Sequence, residues 1–296
     1  MTLLVGFPTG HEDRSGLELA ATLARSSGQE LALVTVVPAA WPTPVAGHTD
    51  REFEGWAQER GNEAVRAAEA LLADHCPDLK ATATWVAGRS APGTLANEAE
   101  RIGASMIVVG AGHDGGYGRV VLGSTAHRLL HSATVPVAVA TRGYRATDHG
   151  KLVRATCAFR GDEASRLTLV RTAEICREVG AGLRIATFAV RGRTMYPPEV
   201  ATTSEDVVQE AWAAQAEALQ NAAVDEIAAT GPLPDPTTQV VAAARTWAHA
   251  LDALTWERDE VLVVGSSSAS LMSRLFLGSN GAKIVRHSPV PVVVVP

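Results

Sequence analysis

Cysteine is scarce in this chain, with three in 296 residues. Cys76, Cys157 and Cys176 form no CxxC pair and no even set, which fits a reducing compartment and thiols that serve as small core residues. Runs of like charge are absent too. No Lys/Arg stripe occurs and the formal net charge is −6, so a duplex-binding surface is not expected. No stretch of about 18 apolar residues appears, which argues against a membrane span. The opening Met1-Thr2-Leu3-Leu4-Val5-Gly6 lacks a basic region and is too short an apolar run for a signal peptide. These absences lead to the expectation of a cytoplasmic protein with neither nucleic acid nor membrane as partner. Apolar residues at 46% and charged residues at 20% are globular proportions, and the length suits two domains of about 150 residues.

What is present is a repeat. Ser105-Met106-Ile107-Val108-Val109-Gly110 ends an apolar run at a glycine, and so does Glu260-Val261-Leu262-Val263-Val264-Gly265. Leu122-Gly123-Ser124 matches Leu277-Gly278-Ser279 at the same spacing. Each half closes on a proline-led apolar strand, Val135-Pro136-Val137-Ala138-Val139 and Val290-Pro291-Val292-Val293-Val294. Within a copy, short apolar runs alternate with amphipathic stretches. Leu3 to Phe7 reads as a doubly buried strand, and Ser15 to Ser27 as a helix stopped by Gly28. Arg51 to Asp74 and Ser204 to Thr230 read as long charged helices. The predicted fold is α/β: two tandem doubly wound domains, each with a five-stranded parallel sheet. They span residues 1–145 and 150–296, with Arg142 to Gly150 as a polar linker.

In such sheets ligands bind beyond the carboxyl ends of the strands, where strand order reverses. The loop after the fourth strand, Gly110-Ala111-Gly112-His113-Asp114-Gly115-Gly116-Tyr117-Gly118, leads to Gly123-Ser124-Thr125 at a helix start. Glycines permit close backbone approach, and free helix amides with two hydroxyls suit an anion such as a phosphate. A P-loop is excluded because neither loop holds a lysine. Gly110-x-Gly112-x-x-Gly115 matches the dinucleotide fingerprint, yet no acidic residue follows between Gly116 and Thr147. His127 and His131 have metal-compatible i, i+4 spacing but no third ligand, so no metal site is expected.

Taken together, these residues resemble the universal stress protein family in its tandem two-domain form. ATP-binding members carry G-x2-G-x9-G-[ST] in this loop. Here Gly110, Gly123 and Ser124 keep the frame, with His113 at the second glycine; the second half has Gly265, Ser268, Gly278 and Ser279. Where the family places an acid after the first strand, this chain has Pro8 and Arg160. The resemblance implies an adenine-nucleotide hydrolase-like fold and a stress-response regulator. It would bind ATP with Mg²⁺, or AMP/ADP, in the first domain. The implied site comprises Phe7, Pro8, Thr9, Val36, Gly110, Gly112, His113, Gly123, Ser124 and Thr125. In the second domain Arg160, Gly265, Ser268, Gly278, Ser279 and Asn280 would form a vestigial site, with Arg160 pairing to Asp162 or Glu163. The apolar last strands imply pairing as an internal pseudo-dimer, with a homodimer as the family's further assembly. No catalytic set can be assigned to one pocket, so slow ATP hydrolysis is the most the pattern would carry. The competing reading is a scaffold that binds no nucleotide and meets partners through its long helices.

Overall fold

The computed structural model describes all residues except 9–12, 41–47, 113–115, 191–197, 267–274 and 276. The first half runs β1 (Thr2–Gly6), α1 (Ser15–Ser27), β2 (Glu30–Pro38), α2 (His48–His75), β3 (Ala81–Gly88), α3 (Ala91–Ile102), β4 (Met106–Val109), α4 (Ser124–Leu129) and β5 (Val137–Val139). The second repeats it as β6 (Arg154–Ala158), α5 (Glu163–Val179), β7 (Gly182–Val190), α6 (Pro198–Thr230), β8 (Thr237–Ala244), α7 (Trp247–Asp252), β9 (Glu260–Gly265), α8 (Ser279–His287) and β10 (Val292–Val295). Both α1 and α5 stop where the sequence turns left-handed, at Gly28 (φ 66°) and Gly180 (φ 70°), a conformation that costs other residues energy.

The central strands are continuous apolar runs because both their faces are covered. Along β1, Leu3 and Val5 point into one core and Leu4 into the other; along β9, Val261 and Val263 oppose Leu262 and Val264 in the same way. The first core takes Ala20 and Ala24 of α1, Leu72 of α2, Leu169 and Ala173 of α5, and Ile227 of α6. The second takes Leu95 and Ala99 of α3, Leu129 of α4, Leu251 of α7, and Ile284 and Val285 of α8. Helices therefore cover both faces, as in a doubly wound sheet. Each fully buried leucine contributes about 1.5–3 kcal/mol from burial alone.

The strand order is β3-β2-β1-β4-β5-β10-β9-β6-β7-β8. Each half is a five-stranded parallel sheet, and the halves join in one ten-stranded sheet. The join is antiparallel, with Val292, Val293 and Val294 of β10 opposite Val139, Ala138 and Val137 of β5. The pairing expected of the two apolar terminal strands is thus made within the chain. Among the described residues no helix is long and apolar enough to cross a membrane.

Residues 142–150, read from sequence as a polar linker, do more than tether. Tyr144 is buried, and its hydroxyl donates to Asp259 Oδ1 at 2.8 Å while lying 3.3 Å from Thr22 Oγ1 of α1. The Thr147 amide and hydroxyl both donate to Asp259 Oδ2. Asp259 is itself buried, at positive φ (61°), just ahead of β9. Burial, with the Asp259 carboxylate adding to it, pushes the Tyr144 phenol well above its usual pKa, so it stays a donor. A second buried ionic group stands at the amino ends of the strands, where Arg154 and Arg184 each reach Glu260 at 2.7 Å. Arg184 also lies 4.7 Å over the Trp256 ring. Paired buried charges of this kind hold geometry more than they add stability.

Two outcomes follow. Tyr144→Phe leaves Asp259 short of a donor, and should lower unfolding free energy by about 1–3 kcal/mol. Urea denaturation should show the midpoint falling with an unchanged slope, and an unmoved midpoint would contradict the clasp. The thiols of Cys76, Cys157 and Cys176 are buried, and burial pushes them to about 11, about 12 and about 11. In the native protein at pH 8 none should react with a thiol reagent until denaturant is added; prompt labelling would refute this.

Candidate functional site

Strand order reverses between β1 and β4 and again between β6 and β9, so two crevices open beyond the carboxyl ends of these strands. In the first, Phe7 continues β1, donating its amide to Val34 O at 2.9 Å, and is buried; Pro8 follows and is exposed. The Val36 side chain packs against the second core. A Cβ on Gly16 would stand 2.7 Å from the Gly110 amide nitrogen, so the start of α1 presses directly on the end of β4. Asp13 reaches the same spot: its carboxylate accepts from the Ser15 amide (3.0 Å) and hydroxyl (2.9 Å), and lies 3.7 Å from where a Cβ of Gly110 would be. An acid therefore does stand at this crevice, five residues after Pro8 in the chain and just ahead of α1.

Gly112, shortly after β4, lies against the α4 start. Gly112 donates to Val121 O at 2.7 Å, and a Cβ there would meet the Gly123 amide nitrogen at 2.9 Å. Gly123 is extended and precedes Ser124 and Thr125 in a helix of only six residues. So short a helix gathers little dipole. Thr9 and His113 lie outside the described residues, as does Ser268 in the second half. His127 and His131 stack with ring centroids 5.0 Å apart. Burial, then the neighbouring His127, lowers the His131 pKa. Among the described residues no group of three or more His, Cys, Asp or Glu side chains could hold a metal ion.

At the second crevice the turn after β6 is locked. The Ser165 hydroxyl accepts from the Arg160 amide (3.2 Å) and the Gly161 amide (3.1 Å), while Asp162 caps α5 by accepting from the Ser165 amide at 3.0 Å. The Arg160 guanidinium pairs with Asp162, as the sequence suggested. Burial works against the Asp162 carboxylate, but Arg160 and the two Ser165 donors outweigh it, and its pKa is lowered.

Above this turn opens a cavity of about 990 Å³. Its floor is the strand ends, with Ala158, Phe188, Val264 and Gly265. One wall is α6, with Trp212 and Leu219; the other is the start of α7, with Arg245 and Trp247. Gly278, Ser279 and Asn280 at the start of α8 complete it, with Lys283 and His287 further along. Gly278 is extended and makes no side-chain cap, so the first amides of this nine-residue helix have no such acceptor. Unpartnered helix amides favour an anion. Among the described residues, three permanent cations (Arg160, Arg245 and Lys283) line the space against one carboxylate, Asp162, which Arg160 already neutralises. Arg160, Gly265, Gly278, Ser279 and Asn280 are thus brought together around one cavity. The sequence favoured the first half for the working site and treated these residues as remnants. It did not single out Trp212, Arg245, Trp247 or Lys283. The repeat held a signal for one of them, since an arginine precedes a Ser/Thr helix cap in both halves (Arg89-Ser90 and Arg245-Thr246). Asp162→Ala should cost about 1 kcal/mol as a lost helix cap. Because the folded carboxyl is lowered, that contribution is complete above the ordinary carboxylate range and fades as pH falls through the folded value. Wild-type and variant stabilities measured in urea should converge in acid; a gap that persists there would refute the assignment.

Comparison with known proteins supports this architecture. The universal stress protein family profile matches residues 1–141 and again residues 154–296. Universal stress proteins of Mycobacterium tuberculosis and Mycobacterium bovis are each 38% identical over 297 residues, spanning 100% of both chains. Among solved structures, a universal stress protein of Archaeoglobus fulgidus aligns with a TM-score of 0.58 at 19% identity, over 99% of this chain and 97% of that one. A putative universal stress protein of Pseudomonas aeruginosa aligns at 0.57 and 15%, over 99% and 92%. At such identities the structures speak for the fold.

Proposed function

This chain belongs to the universal stress protein family, and we propose that it is a cytoplasmic stress-response regulator that holds an adenine nucleotide in its second-half cavity. The observation that carries this reading is the cavity of about 990 Å³ at the β6/β9 switch point, with a cationic lining and an uncapped helix start. Phosphates would meet the amides of Ser279 and Asn280 together with Lys283 and Arg245; Mg²⁺ would arrive with the nucleotide. The competing scaffold reading draws on Arg160, which is already engaged by Asp162 at the strand end where an anion would sit.

Isothermal titration of nucleotide-free protein with Mg·ATP separates the two. One site per chain with a micromolar Kd, about −8 kcal/mol, is expected. Gly278→Asp puts a carboxylate among the α8 amides and should weaken binding about tenfold or more, the cost of one charged contact reversed. Gly123→Asp should leave it intact. Loss in Gly123→Asp alone would move the site to the first half. No heat up to millimolar ATP would favour the scaffold.

A further inference from the structure

The repeat allows each half to serve as the reference for the other. Phe7 donates to Val34 O and Phe159 to Ala186 O, which puts Val36 and Phe188 at the same place on their strands. Ser90 stands at the N-cap position of α3 and Thr246 at that of α7, so Arg89 corresponds to Arg245 and Ala91 to Trp247. Gly123 precedes α4 and Gly278 precedes α8, so Arg128 corresponds to Lys283. Arg245 and Lys283 thus have basic counterparts in the first half, whereas Arg160 follows Phe159 where Pro8 follows Phe7. The aromatic ones belong to the second half, where valine and alanine give way to phenylalanine and tryptophan.

These aromatics are fixed rather than loose. The Phe188 and Trp247 rings are 6.5 Å apart and tilted by 50°, and both pack against the core beneath the sheet. Trp247 opens α7 directly after Thr246, whose hydroxyl accepts from the His249 amide. Trp212 enters the same cavity from α6, on the other face of the sheet, and is 42% exposed. A space lined both by cations and by partly open indoles from both faces of the sheet suits a ligand that carries an anionic group and a planar ring. An indole held rigid by its neighbours presents its π-face without the entropic cost of ordering a mobile side chain.

We propose that Trp247, backed by Phe188, is the stacking platform for the base and makes the second half selective for a nucleotide over a bare polyphosphate. This rests on the nucleotide reading above and adds the residue that discriminates. The test uses the full chain with two probes, Mg·ATP and Mg·tripolyphosphate, in wild type, Trp247→Leu and Trp247→Phe. Leucine keeps the apolar bulk without a π-face, whereas phenylalanine restores one. Wild type should prefer ATP by about 10-fold or more, the scale of one stacked base. W247L should lose that preference with its tripolyphosphate affinity unchanged, and W247F should recover most of it. If W247L melts early, Phe188→Leu supplies the same reading from the backing residue. ATP binding within twofold of wild type in folded W247L overturns this inference and leaves the nucleotide reading standing. Equal wild-type affinity for the two probes does the same. Failure of both probes to bind overturns both.

Discussion

The antiparallel pairing of β5 with β10 is the constraint on which the rest of this structure depends. Each half, taken alone, ends its sheet on a short strand of apolar residues whose free edge would seek a partner. Setting Val137–Val139 against Val292–Val294 gives both edges the same partner and merges two five-stranded sheets into one. Ala138 and Val293 face each other across this seam and are buried, so it lies in the interior of the molecule. The pairing relates the halves in opposite senses along the sheet. Each half keeps its own reversal of strand order, and hence its own crevice.

The connecting segment reinforces that seam with polar chemistry. Tyr144 links Thr22 of α1 to Asp259 at the entry to β9, and Leu152 donates its amide to the Ser26 hydroxyl of α1. The first helix of one half is thereby tied to the second half at two points. Buried polar groups are costly when unmet and specific when met, so the clasp sets how the halves lie as well as holding them.

Duplication followed by divergence is visible in the crevices. Both keep a carboxylate at the turn into the helix after the first strand, Asp13 or Asp162, and both keep an arginine before a helix cap. They differ in helix length and in aromatic content: α8 has nine residues and α4 has six. A longer helix aligns more peptide dipoles behind its open amides, and Trp247 and Phe188 give the second cavity aromatic surface where the first half has Ala91 and Val36.

The repeat, the order of strands and helices and the apolar edge strands were all legible in the sequence. Each is encoded locally, by runs of apolar residues, by periodicity and by glycine stops, and a second copy doubled every signal. The Arg160–Asp162 pair was legible for the same reason, its partners being two residues apart. Tertiary structure alone decided that the described cavity belongs to the second half, since its lining joins residues from Ala158 to His287 that no local pattern associates. It alone returned Asp13 to Gly110 across nearly a hundred residues, and it turned a linker that reads as merely polar into a clasp on Asp259. Local periodicity specifies which face of an element is buried. Which distant side chains then meet there is set by how the sheet is wound and joined.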